Sequence, residues 1–146
     1  MTLLADRSAD QPNGQAAISS LHAVSDCTER WAAVFNAGDP QAIAALYQDD
    51  GVLWGTVASG LLIGRDAIRQ YFERACVPGA LPRVQLEQQH LRVMGEMAVN
   101  SGAYLFHVID NGAERALPAR FSMVWRRTND GWLIADHHSS ARPVSL

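Results

Sequence analysis

The sequence contains no lysine: its 12 basic residues are all arginine, set against 15 carboxylates for a formal net charge of -3 and a pI near 5.9. Schiff-base chemistry, a P-loop lysine and a lysine general base are excluded with it. The arginines are scattered in a slightly acidic chain, so no basic face exists to release counterions from a phosphate backbone, and nucleic acid is not an expected partner. Cysteine is almost as scarce. Cys27 and Cys76 are the only two, both in stretches that read as helix, without a CxxC partner or a metal-type spacing. They read as free thiols packed as small hydrophobes, and no metal is expected. Long apolar runs are missing too: no window approaches about 18 apolar residues, so no membrane partner is expected. Met1 to Arg7 lacks the basic start and apolar run of a secretory signal, which makes cytoplasmic residence the expectation. No GxGxxG follows a strand, so no cofactor is expected. The 146 residues suffice for one domain at roughly 100–200 residues per domain, which excludes a two-domain enzyme. Apolar residues at 48% and charged residues at 18% are ordinary for a globular chain, and this length supports a core without metal or disulfide staples.

Residues 1–15, ending in Gln11-Pro12-Asn13-Gly14-Gln15, are polar, turn-rich and aperiodic, and read as a flexible arm before a single domain over 16–146. From Ala16 to Ala37, Ile18, Leu21, Val24, Thr28, Trp31 and Phe35 recur at three or four positions, which predicts a long amphipathic helix ended by Gly38. Asp39-Pro40 supplies an N-cap and a first-turn proline for a short helix through Tyr47. Gly51 to Trp54 and Leu61 to Ile63 read as short strands around a turn, with Asp49-Asp50 as the turn before the first. A third helix starts at Arg65, with Ile68, Phe72 and Ala75 on one face, and stops at Pro78-Gly79. Four long strands follow, Val84 to Met94, Met97 to Ile109, Glu114 to Arg127 and Trp132 to Ser139, joined by Gly95-Glu96, Asn111-Gly112 and Asn129-Asp130-Gly131. The class is α+β, in the order α-α-β-β-α-β-β-β-β.

Alternation within the strands tells which face is dry. Leu117, Ala119, Phe121, Met123 and Trp125 alternate with Pro118, Arg120, Ser122, Val124 and Arg126, which turns the first set inward. A curved sheet whose inner face is closed by helices leaves an apolar cavity wherever the helices do not fill its mouth.

The segments Phe35-Asn36-Ala37-Gly38-Asp39, Leu46-Tyr47-Gln48-Asp49-Asp50 and Gly64-Arg65-Asp66-Ala67-Ile68, in this order among these elements, resemble the nuclear transport factor 2-like superfamily, which includes ketosteroid isomerase and the SnoaL-like polyketide cyclases. More narrowly, His90-Leu91-Arg92-Val93-Met94-Gly95-Glu96, Val124-Trp125-Arg126-Arg127, Asp130-Gly131-Trp132 and His137-His138-Ser139-Ser140-Ala141-Arg142-Pro143 resemble the association domain of calcium/calmodulin-dependent protein kinase II and its bacterial single-domain relatives, over about residues 22–143. The resemblance implies a cone-shaped fold with a pocket inside it. Bacterial relatives of this kind often carry an SgcJ/EcaC-type oxidoreductase label, and the absent cofactor motif keeps that activity from being carried over. An isomerase-like site needs a tyrosine on the first helix, an aspartate after the first strand and an acidic donor in the sheet; the matching positions are Trp31, Gly55 and about Ser122, so that mechanism is not implied. In the kinase hub, arginines line the cavity, and three matching positions hold Phe106, Met123 and Ser139.

His137 is the sharpest polar feature. If the last strand carries Leu133 and Ala135 inward, His137 and Ser139 face the cavity while Trp132, Ile134, Asp136 and His138 face out. His137 is then the one candidate catalytic residue, a neutral imidazole fit to serve as general base or to hydrogen-bond a ligand, with a structural or oligomer-contact role as the alternative. Trp31, Phe35, Trp54, Tyr104, Phe106, Phe121, Met123 and Trp125, with Ser139, are the candidate pocket lining for a hydrophobic or aromatic small molecule, weighed against plain core packing. Leu105, His107, Ile109, Trp132, Ile134 and His138 form an expected outward patch, which predicts a homodimer by sheet-to-sheet packing or, following the hub, a larger ring. Two functions stand side by side: a small-molecule-binding homo-oligomer whose enzymology the residues leave open, and a non-catalytic self-association module.

Overall fold

The computed structural model describes the backbone of residues 3–144 and side chains from residue 14 onward. Three helices, α1 (Leu3–Ala37), α2 (Pro40–Ala44) and α3 (Arg65–Ala75), accompany six strands: β1 (Tyr47–Trp54), β2 (Leu62–Ile63), β3 (Arg83–Met94), β4 (Met97–Asp110), β5 (Ala113–Thr128) and β6 (Gly131–Ala141). The strands form one sheet in the order β2-β1-β6-β5-β4-β3, parallel only between β1 and β6. It is curved and unclosed. α1 lies across β3 and β4, and α3 lies beside α2 and β1, so the helices cover one face of the sheet.

α1 runs back to Leu3, through most of the stretch whose composition predicts a flexible arm; Met1 and Thr2 lie outside the described residues. Helix growth is cooperative, adding one hydrogen bond per residue fixed, so a helix anchored by tertiary packing extends past the part that is packed. The anchor is the stripe Val24, Thr28, Trp31 and Phe35, all buried, whereas Ile18 on the same predicted stripe is exposed. Asp39 caps α2 by accepting from the backbone N–H groups of Gln41 and Ala42, with Pro40 in the first turn.

The β1 boundary differs from the sequence expectation. Tyr47 opens the strand instead of closing α2, and Asp49 and Asp50 sit inside it. Tyr47 pairs with Ile134, pairing then lapses, and it resumes at Val52 with Asp136. Arg65 fills this irregularity: its Nη2 donates to the Tyr47 carbonyl at 2.6 Å and its Nη1 pairs with Asp49 at 2.7 Å.

A second irregularity corrects the predicted phase of β6. Val124 pairs with Asp136 but Trp125 pairs with Ile134, leaving Ala135 unpaired. One extra residue reverses the alternation below it, so Ile134 and His137 both point inward. Ile134 is fully buried in the core and is not part of an outward patch. Trp132 shares that side and lies 5.9 Å under the Arg127 guanidinium, so it too leaves the patch.

The hairpins match their turn chemistry. Asn111 and Gly112 both take positive φ, 52° and 80°, between β4 and β5, which suits a two-residue turn matched to strand twist. The core joins Trp31 and Phe35 of α1, Ile68 and Phe72 of α3, and Tyr104, Phe121, Met123 and Trp125 of the sheet. Burying each such side chain contributes about 1.5–3 kcal/mol. On β3, a free edge of the sheet, Asn36 of α1 binds Val84 both ways: its Nδ2 donates to the Val84 carbonyl at 3.0 Å and its Oδ1 accepts the Val84 N–H at 2.7 Å.

Candidate pocket at the mouth of the sheet

Between α1, α3 and the inner face of the sheet lies a cavity of about 320 Å³. Its floor is Trp31, Tyr104, His137 and Ser139; its walls include Phe35, Phe72, Leu53 and Phe106. At the rim stand Val57, 75% exposed, with Val77 and Ile109. The aromatic walls interlock: Trp31 stacks on Phe35 at 5.5 Å and on Tyr104 at 5.8 Å, and Tyr104 meets Phe106 edge-on at 4.7 Å.

The floor carries a line of polar groups. Trp31 Nε1 donates to Tyr47 Oη at 3.2 Å, and Tyr47 Oη lies 2.8 Å from His137 Nδ1. On the other side of the ring, His137 Nε2 lies 3.2 Å from Tyr104 Oη. Tyr104 donates to Ser139 Oγ at 2.5 Å, and Ser139 Oγ is 2.5 Å from Thr56 Oγ1 at the cavity wall. Burial, helped by neighbouring His138, pushes the His137 pKa down to about 3, so the ring is neutral at pH 7. Burial also raises the Tyr47 and Tyr104 phenols above their ordinary range, so both keep their protons.

Of the predicted lining, Trp31, Phe35, Tyr104, Phe106, His137 and Ser139 meet at the cavity. Phe121, Met123 and Trp125 point inward as expected but are buried in the packed core beside it, Phe121 against Tyr104 at 4.7 Å. Trp54 is on the opposite face: Leu53 aligns with His137, Trp54 with His138, and the Trp54 ring is 41% exposed, tilted over His138 at 6.5 Å. Ile109 belongs to the pocket rim rather than to a flat outer patch. Leu105, His107 and His138 do face outward, in register with Pro118, Ala116 and Ser122, and His107 Nδ1 lies 3.3 Å from Glu114. His137, the candidate base, is 2% exposed with both ring nitrogens engaged, so it can act on a ligand only through Tyr104.

Tyr47, Thr56 and Tyr71 are absent from the sequence-based site. Tyr71 of α3 leans over Gly55, where a Cβ would stand 2.5 Å from the Tyr71 ring. Among the described residues no three His, Cys, Asp or Glu side chains gather as a metal site, and no helix is long and apolar enough to cross a membrane.

The sequence model of the calcium/calmodulin dependent protein kinase II association domain matches residues 21–143. The chain belongs to this association-domain family. Among solved structures it is similar to a Xanthomonas campestris protein described as such an association domain, at 33% identity and a TM-score of 0.76, over 84% of this chain and 87% of that one. A Chlamydomonas reinhardtii protein described as a CaMKII hub homology domain is similar at 23% identity and a TM-score of 0.70, over 85% of this chain and 99% of that one. An NTF2-like protein with a cystatin-like fold from Novosphingobium aromaticivorans shares the fold at a TM-score of 0.78 and 17% identity, over 94% and 92% of the two chains. No curated protein matches the chain in sequence. The association-domain resemblance read from the motifs holds, and so does the expected α+β cone, a fold the chain shares with NTF2-like proteins.

Proposed function

We propose that this association-domain protein binds a small, mostly apolar molecule in the cavity. One observation carries the reading: an aromatic-walled cavity of about 320 Å³ ends on a buried line of hydroxyls instead of being filled by side chains. That volume is at the lower end of ligand pockets, and apolar walls with a few convergent polar groups are their usual build. A thermal-shift screen of hydrophobic ketones, esters and aromatics tests it. A binder raises the melting temperature in proportion to ln(1 + [L]/Kd), and Phe106→Trp, which occupies the cavity, removes the shift. Failure of every class to shift the transition refutes the reading.

Self-association is the second role, favoured by the uncovered outer face of the sheet. Trp54, His138, Leu105, Val99 and Val124 share that face, opposite the helices. A face of this kind suits packing against a second copy, and the association-domain relatives support it.

A further inference from the structure

We infer that the cavity selects an uncharged ligand bearing a carbonyl oxygen, which it receives with the hydroxyl of Thr56. This rests on the reading of the cavity as a ligand site and adds the direction of its hydrogen bonds. Indole N–H is a donor only, so Trp31 fixes the first bond: Tyr47 Oη accepts. Tyr47 is fully buried, and His137 Nδ1 is the acceptor at hand for its own proton. The reverse arrangement would set two donors on Tyr47 and leave its proton unpaired in a dry place. With Nδ1 accepting, the neutral ring carries its proton on Nε2, which donates to Tyr104. Tyr104, having accepted, donates to Ser139, and Ser139 to Thr56. Each hydroxyl has one proton to give, so the last one, on Thr56, has no acceptor among the described residues and stands at the cavity wall.

Tyr71 adds a second donor beside it. Its oxygen accepts the Val57 N–H at 3.5 Å, and its proton has no acceptor among the described residues. Among the described residues no arginine, aspartate or glutamate lines the cavity, so a carboxylate would enter without a counter-ion, at a large desolvation cost. The depressed pKa of His137 agrees, since the ring supplies no positive charge at neutral pH.

Three probes of one shape separate the possibilities: 2-acetonaphthone, 2-isopropenylnaphthalene and 2-naphthoate, titrated calorimetrically at pH 7 into the wild type and Thr56→Val. The ketone is expected to bind about tenfold tighter than the alkene, the scale of one added hydrogen bond, and naphthoate weakest. Thr56→Val is expected to erase the ketone's advantage and leave the alkene unchanged. Equal ketone and alkene affinity in the wild type, or naphthoate as tight as the ketone, overturns the inference while the pocket stands. No heat from any probe overturns both. Nitrogen-15 NMR of His137 is independent of any variant: a protonated Nε2 with a bare Nδ1 is expected, and the opposite tautomer reverses the chain and sinks the inference.

Discussion

Tyr47 and His137 stand ninety positions apart in the chain, and their hydroxyl and Nδ1 meet at 2.8 Å in a fully buried place. The parallel pairing of β1 with β6 brings them together, the one parallel contact in the sheet. Tyr47→Phe would leave Trp31 Nε1 and His137 Nδ1 both without a partner. An unsatisfied buried polar group costs about 1–3 kcal/mol, so urea denaturation of this variant should show a loss in the upper part of that range with an unchanged m-value.

Stability should fall on acidification through a definite window. The unfolded His137 imidazole titrates near 6.5 and the folded one near 3. Between those values the unfolded chain takes up a proton that the folded chain refuses, so this contribution is complete above about pH 6.5 and is lost as pH falls toward 3. The slope approaches about 1.4 kcal/mol per pH unit inside the window. Subtracting the urea-denaturation profile of His137→Phe isolates this term from the carboxylates, and a difference that does not vary between pH 6.5 and 4 contradicts it.

Gly55→Ala should move Tyr71. The added Cβ would lie 2.5 Å from its ring and 2.6 Å from its hydroxyl, so the ring must swing away. Overpacking of this kind costs about 1–3 kcal/mol, and the displaced ring alters the rim. A ligand found by the thermal-shift screen should bind this variant more weakly, and quenching of Tyr71 fluorescence or a crystal structure would show the displacement.

Paired substitutions Trp54→Glu and Leu105→Glu place charge on the outer face, where neither side chain contributes to the core. Light scattering at micromolar concentration should show the wild type as an oligomer and the double variant as a monomer with an unchanged melting curve at low concentration. A monomeric wild type would remove self-association through this face.

Much of the fold was legible because its rules are local. The strict alternation of Ala119, Phe121, Met123 and Trp125 assigns the inner face of β5 without ambiguity, and Asp39-Pro40 marks a helix start. What escaped was whatever depends on an added residue or a distant partner. Ala135 looks like any strand residue, yet its lack of a partner turns Ile134 inward. Asp49-Asp50 has the composition of a turn, yet it lies in a strand whose lapse in pairing is filled by Arg65, which caps the Tyr47 carbonyl. The same division holds for the pocket. Tyr104, Phe106, His137 and Ser139 follow from strand phase, whereas Thr56 and Tyr71 come from a turn and a helix whose placement against the sheet no periodicity encodes.

The clamp of Asn36 on Val84 bears on how copies of this chain can meet. A bare outer strand is a template on which another chain can add its own, the first step toward fibrils. Here the side-chain amide occupies both the N–H and the carbonyl of Val84, imitating an extra strand for one residue, and the opposite border, β2, is only two residues long. Side-by-side growth is thereby discouraged at both margins, which steers encounters between molecules to the broad outer face and favours closed assemblies over endless ones.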